Sequence, residues 1–183
     1  MGRLNGTAIH NLVLSDLEVN QAESFFKHIE ENRDSYADTI PFVSKTHSLE
    51  AMRGLIAQNL RRQEAGTAEF YTLWDGETMA GYFLVREKEN DARWAEIGYM
   101  IGRQWRGAGI SNKICRLLIE ELFLHQGMQK IVICCNADNL ASIGLAKKLG
   151  FQLEGNLRNH FVVNGKLCNM LYFGLLKEEW VRD

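Results

Sequence analysis

A strand, a turn holding two glycines and a helix start follow one another between Trp94 and His125, and no other stretch constrains the chain as much. Trp94 to Ile101 is extended and partly apolar. Gln104-Trp105-Arg106-Gly107-Ala108-Gly109-Ile110-Ser111 forms the turn, and Ile110 to His125 carries a helical stripe of Ile110, Ile114, Leu117, Leu118 and Leu122. Glycines one residue apart let the backbone bend sharply and come close to a ligand. The first amides of the following helix have no intrahelical acceptor, and the helix dipole adds positive potential at the same place. Such a junction is a cradle for phosphate.

Two common phosphate motifs do not fit. A Walker A loop needs Gly-Lys-Ser/Thr after its four-residue spacer, whereas Gly102 and Gly107 are followed by Ala108 and Gly109. The dinucleotide fingerprint needs a third glycine where Asn112 stands, and no acidic residue follows on Lys130 to Cys135. The pattern Gln/Arg-x-x-Gly-x-Gly/Ala does fit, over Gln104 to Gly109.

The rest of the chain supplies the frame. A first strand closes at Leu12 to Leu14 and starts near Ala8. Ser15 or Asp16 caps a helix over about Glu18 to Asn32, and a loop from Tyr36 to Val43 holds Pro41. Ser48 caps a helix with Leu49, Met52, Leu55, Ile56 and Leu60 on one face. Glu69 to Trp74 and Met79 to Glu87 flank the hairpin signal Asp75-Gly76. Arg93 to Ile101, Lys130 to Cys135, Phe151 to Val163 and Leu167 to Leu176 are further strands, the last two joined at Asn164-Gly165; Ser142 to Leu149 is a helix. About seven strands and about four helices therefore predict one mixed α/β domain over residues 1–183, without repeats or linkers.

Charge and cysteines exclude more than they identify. A net charge of −2 gives no general reason to bind nucleic acid or an anionic membrane, although Arg103 and Arg106 place a local basic patch beside the glycine turn. No segment approaches the roughly 20 apolar residues of a membrane span. Met1 to Gly6 lacks the apolar core of a signal peptide, and Thr7 lies one place beyond the myristoylation position. Cys115, Cys134, Cys135 and Cys168 have no zinc spacing and read as reduced cytosolic thiols, Cys134 and Cys135 on opposite faces of a strand. No metal site is expected, and the location is expected to be cytoplasmic.

The glycine turn resembles the pyrophosphate loop of the GNAT N-acetyltransferases. A second match follows: the helix of that superfamily reading Asn-x-x-Ala-x-x-Leu-Tyr-x-Lys-x-Gly-Phe is met by Asn139, Leu145, Lys148, Gly150 and Phe151, with Ser142 in place of the alanine and Ala146 in place of the tyrosine. Ala95 to Tyr99, Leu153-Glu154-Gly155, Val163-Asn164-Gly165 and Leu175 to Trp180 narrow the resemblance to the RimJ/RimL branch of ribosomal-protein N-acetyltransferases. It implies a GNAT fold with a mostly antiparallel sheet, and acetyl-CoA as cosubstrate.

The resemblance also implies site roles. Backbone groups of Tyr99, Met100 and Ile101 would run beside the pantetheine arm, the amide near Met100 polarising the thioester. The amides of Arg106, Gly107, Ala108, Gly109, Ile110 and Ser111 would hold the pyrophosphate, and Asn139 would bond the pantetheine. Ser142, one helical turn before Ala146, is the candidate proton donor to the leaving thiolate; otherwise it caps its own helix. Glu96, sharing a strand face with Gly98 and Met100, is the leading base; otherwise it pairs with Arg93 or Arg158. His160 is the alternative base, since an imidazole titrates near pH 6.5. Tyr36, Phe42 and Trp105 are candidate walls of the acceptor pocket, or core aromatics.

Acetyl transfer to an amine from a thioester is then the expected reaction, in a direct ternary complex. A protein N-terminal α-amine, as on a ribosomal protein, is the expected acceptor, since its pKa near 8 asks least of a base. The alternatives are a small amine such as an antibiotic, polyamine or amino-acid derivative, and a non-catalytic coenzyme A-binding regulator. A homodimer is compatible with the open edge of the last hairpin.

Overall fold

The computed structural model of the chain describes residues 4–163 and 165–181, so the Asn164 half of the last turn lies outside the described residues. Its strands are β1 (Thr7–Ile9), β2 (Leu12–Asp16), β3 (Glu69–Asp75), β4 (Thr78–Glu89), β5 (Trp94–Ile101), β6 (Lys130–Asn136), β7 (Gln152–Val163) and β8 (Lys166–Leu176). The helices are α1 (Ala22–Tyr36), α2 (Leu49–Glu64), α3 (Ile110–Glu120) and α4 (Leu140–Lys148). One sheet runs β1-β2-β3-β4-β5-β6-β8-β7. Every neighbouring pair is antiparallel except β5 and β6.

The eighth strand comes from the N terminus. Leu4 to Leu14 does not run straight: His10 takes a positive φ of 57°, and Thr7–Ile9 folds back on Leu12–Leu14. Helix α1 also departs from the pattern. Residues 19–21 form a 3-10 turn in which the amide of Glu18 donates to the Gln21 side chain (3.1 Å), and the α-helix then continues past Asn32 to Tyr36. Tyr36 is therefore the last residue of a helix rather than the first of a loop. The stripe from Ile110 is α-helical to Glu120 and closes in a single π turn over Glu121–His125.

The sheet separates two apolar layers. On one side α3, its closing π turn and α4 bury Ile114, Leu118, Leu122 and Ala146 against Ala95, Ile97, Ile131 and Phe173. On the other, α1 and α2 bury Phe25, Ile29, Met52 and Ile56 against Phe70, Tyr82 and Met100. Full burial of one such aliphatic or aromatic side chain contributes about 1.5–3 kcal/mol. Alternation along β5 sends Ala95, Ile97 and Tyr99 to the α3–α4 layer and Met100 to the α1–α2 layer. Among the described residues no helix is long and apolar enough to cross a membrane.

Candidate active site

The parallel pair β5–β6 opens soon after it forms. Trp94, Ala95 and Glu96 are in register with Lys130, Ile131 and Val132, and beyond them no pairing continues, although β5 runs on to Ile101 and β6 to Asn136. The strands splay, leaving an inner edge of β5 without its ladder. A cleft of about 800 Å³ occupies the gap and extends from the glycine turn to α1 and α2.

Alternation decides which peptide groups of β5 face this cleft. The Gly102 amide donates to Ala80 O (2.9 Å), so Gly102 and, two residues earlier, Met100 turn their N–H and C=O toward β4. Tyr99 and Ile101 turn theirs the other way, and Ile101 O accepts from Arg106 Nε (3.1 Å). The Met100 amide itself belongs to the β4 ladder, and the amides near it that face the gap are those of Tyr99 and Ile101.

The glycine turn makes the second wall. Residues 103–105 form a 3-10 turn that uses the Arg106 amide, which donates to Arg103 O (3.2 Å), so Arg106 drops out of the expected amide row. Its side chain folds inward: Nη2 donates to Ser35 Oγ (3.1 Å), and the guanidinium sits 5.8 Å above the Tyr36 ring. Gly107 (φ 83°) and Gly109 (φ 74°) take the left-handed backbone on either side of Ala108. A Cβ at either glycine would meet nothing within 4 Å, so the space in front of them is open and the demand for glycine is conformational. Gly109 is the N-cap of α3 and brings no side chain to the first helical amides. The first N–H of α3 accepted by a preceding carbonyl is that of Lys113, to Gly109 O (3.1 Å). Ile110 and Ser111 line the cleft, as does Asn112, whose buried Nδ2 has no partner among the described residues. Open donors and an orphaned buried amide fit a diphosphate.

Helix α4 supplies the third wall. Asn139 is its N-cap, and Asn139 Oδ1 accepts from the Ser142 amide (3.1 Å), which leaves the Asn139 NH₂ group for a ligand. Ser142 Oγ does not return to its own helix; it donates to Tyr99 Oη (3.0 Å), and both residues line the cleft. Burial raises the Tyr99 phenol well above its ordinary value, so the ring stays protonated. Ala146, one turn on, is fully buried. A hydroxyl absent at position 146 is therefore available from Tyr99 across the cleft. Alternation along β5 was the signal that could have found it.

Glu96 is 12% exposed and lies just behind the wall, next to Gly98, which does line the cleft. Its partner is neither Arg93 nor Arg158 but Arg86 on β4. Arg86 Nη1 lies 3.1 Å from Glu96 Oε1, out of line for a hydrogen bond, so that buried oxygen has a charge beside it and no donor on it. Burial raises the Glu96 carboxyl above the ordinary range, although Arg86 pulls the other way. Cys134, which lines the cleft on β6, is influenced by Glu96, while Cys135 packs into the α3–α4 layer, so the adjacent thiols do face opposite ways. His160 stands apart: it is exposed on β7, edge-on to Tyr172 (6.4 Å), and is not on the cleft wall. The last hairpin reaches past the cleft without bringing this imidazole to it.

The far end of the cleft is made of α1, α2 and β4. Tyr36, Phe42, Tyr82 and Leu84 line it, with Asn59 Nδ2 donating to Tyr82 Oη (2.9 Å). His28, buried behind, shares hydrogen bonds with Met79 O (2.9 Å) and Tyr36 Oη (2.9 Å). Burial lowers the His28 pKa, so the ring is neutral; Nδ1 then carries the proton to Met79 O, and Nε2 accepts from Tyr36. Trp105 also lines the cleft but is pinned: its indole N–H donates to Asp75 Oδ2 (3.0 Å), and its ring lies against Gly102. No cluster of three metal-ligating side chains occurs among the described residues.

Comparison with known proteins agrees with this geometry. The acetyltransferase (GNAT) domain family matches residues 11–152. The Bacillus subtilis (strain 168) protein named "Putative ribosomal N-acetyltransferase YdaF" is 31% identical over 166 residues, 90% of each chain. The Escherichia coli (strain K12) ribosomal-protein-serine acetyltransferase is 24% identical over 84% of this chain and 86% of its own. A solved RimL ribosomal L7/L12 alpha-N-protein acetyltransferase in complex with coenzyme A superposes with a TM-score of 0.88 at 21% identity, over 93% of this chain and 97% of that one. The chain belongs to the GNAT family as an acetyl-CoA-dependent N-acetyltransferase.

Proposed function

We propose that the acceptor is the α-amine of a protein N terminus, a ribosomal protein first among them, acetylated in a direct ternary complex in the cytoplasm. The observation that carries this reading is one cleft running from the glycine turn to α1 and α2, with the Tyr99–Ser142 hydroxyl pair on one face of β5 and Glu96 behind the other. The names of the relatives from B. subtilis and E. coli point the same way.

Acetyl-CoA supplies an already activated acyl group. The amides from Gly107 to Ser111 hold its diphosphate, and Asn112 and the Asn139 NH₂ group add donors. The peptide edge of Tyr99 and Ile101 aligns the pantetheine and polarises the carbonyl. An α-amine with a pKa near 8 is neutral often enough at pH 7 to need only a modest base. Glu96, set behind Gly98, takes its proton through one water; a carboxyl raised by burial is a better base than an exposed one. The Tyr99 hydroxyl, which accepts from Ser142 Oγ, gives one proton to the leaving thiolate and is reprotonated from solvent. Thiol release measured with a panel of N-terminal peptides and small amines, with product masses recorded, tests the reading. Peptide α-acetylation supports it; turnover only of small amines rejects it.

A further inference from the structure

Among the described residues every charged side chain on the wall of the cleft is a cation: Arg106 and Lys148 beside the glycine turn and α4, and Arg62 and Arg86 at the acceptor end. The acceptor-end pair is a built arrangement. Arg62, on α2, is half-buried, and its Nη2 donates to the Arg86 carbonyl, which ties α2 to β4. The Arg86 guanidinium lies beside Gly98, with Nη2 3.5 Å from where a Cβ there would lie, an ordinary contact distance. Both guanidinium groups act electrostatically on the Tyr82 hydroxyl and on Glu96, so they converge on one region. Glu96 offsets one of them, and among the described residues no carboxylate lies within 4 Å of Arg62. Glu87 also acts on Glu96, but neither carboxylate is on the wall, so the acceptor end presents two guanidinium groups and, among the described residues, no carboxylate above an apolar floor of Leu55, Phe70 and Leu84.

An acceptor amine must shed its own charge to react, so the field at this end acts on the rest of the acceptor. A second ammonium a few atoms away would be repelled and a carboxylate attracted. We propose that Arg62, with Arg86, selects acceptors whose reactive amine is carried beside an anionic group, as in an N terminus with Asp or Glu at its second to fourth positions, and rejects polyamines. This inference rests on the transferase reading above and names the acceptor's chemical class.

The test compares matched peptides differing only in Glu, Gln or Lys at the second and third positions, together with matched small amines, an aminocarboxylate against a diamine of equal length. The wild-type enzyme is expected to prefer the acidic over the basic peptide by about tenfold in kcat/KM, a ratio that shrinks as salt is added. Arg62→Gln should collapse the ratio and Arg62→Glu invert it, while Arg62→Lys, which keeps charge and donor, should retain it. Equal rates on the three peptides, or a preference for lysine, would overturn the inference and leave the N-terminal reading standing. Acid preference confined to the small amines would uphold the inference and sink the N-terminal reading. A ratio unchanged in Arg62→Glu would remove Arg62 from the selection.

Discussion

The two ends of the cleft are built from different materials. The end proposed to take the coenzyme is mostly backbone: amides of Gly107 to Ser111, the peptide edge of Tyr99 and Ile101, and the start of α4. The end proposed to take the acceptor is side chain: Tyr36 from α1, Asn59 and Arg62 from α2, Tyr82 and Arg86 from β4. A diphosphate and a pantetheine are the same in every turnover, and peptide groups recognise them at little conformational cost. An acceptor must be told from other amines, which needs charge and shape that only side chains provide.

The sharpest way to break this division is Gly109→Val. A β-branched residue at φ 74° costs about 1–3 kcal/mol, and the loop escapes by leaving that conformation and taking its amides with it. Acetyl-CoA affinity by calorimetry is expected to fall about a hundredfold, with the thermal midpoint little changed. Unaltered affinity would show that backbone is not what holds the coenzyme.

The hydroxyl pair sharpens the boundary between the ends. Tyr99→Phe and Ser142→Ala are each expected to lower kcat about tenfold to a hundredfold, with acetyl-CoA affinity nearly intact. Additive losses in the double variant would count against a shared role, since residues acting as a unit lose activity only once.

Glu96→Gln reads the acceptor side through pH. Burial holds the folded carboxyl above its unfolded value, so a base at this position gives a rate that rises with pH through an inflection above the ordinary carboxylate range. The variant should lose that limb and about tenfold in kcat/KM at neutral pH. Stability follows the same sign. The protonated form is favoured by folding, fully so below the unfolded pKa, and that contribution fades as pH rises through the folded one. Glu96→Gln should therefore gain thermal midpoint relative to the parent toward neutral pH.

Asn139→Ala has the smallest expected effect. It removes the N-cap of α4 and should cost about 1 kcal/mol of stability by denaturant titration. A drop in coenzyme affinity much beyond tenfold would instead make its amide the main pantetheine contact.

The coenzyme end was legible because each of its parts is short in sequence. Gly107 and Gly109 mark the turn, the stripe from Ile110 marks the helix, and Asn139 marks the next helix start. What the local pattern did not give is which peptide group points where: Arg106 spends its amide on Arg103, and Met100 faces β4. The acceptor end was legible only in fragments. Tyr36 and Phe42 do lie on its wall, but Arg62 and Arg86 carry no local signature. Glu96 was visible as a carboxylate on the right face, without its partner on β4. His160 has suitable chemistry, yet the path of β7 keeps it off the cleft wall.

From its amino-acid sequence alone the chain determined a strand, turn and helix junction with open amides, because helix starts and left-handed glycines are settled within a few residues of backbone. Only the tertiary structure decided that Ser142 would meet Tyr99, that Arg86 would cover Glu96, and that Arg62 would stand beside them. Those meetings depend on where the splay of β5 from β6 and the packing of α2 bring residues from distant parts of the chain, and no local pattern encodes that distance.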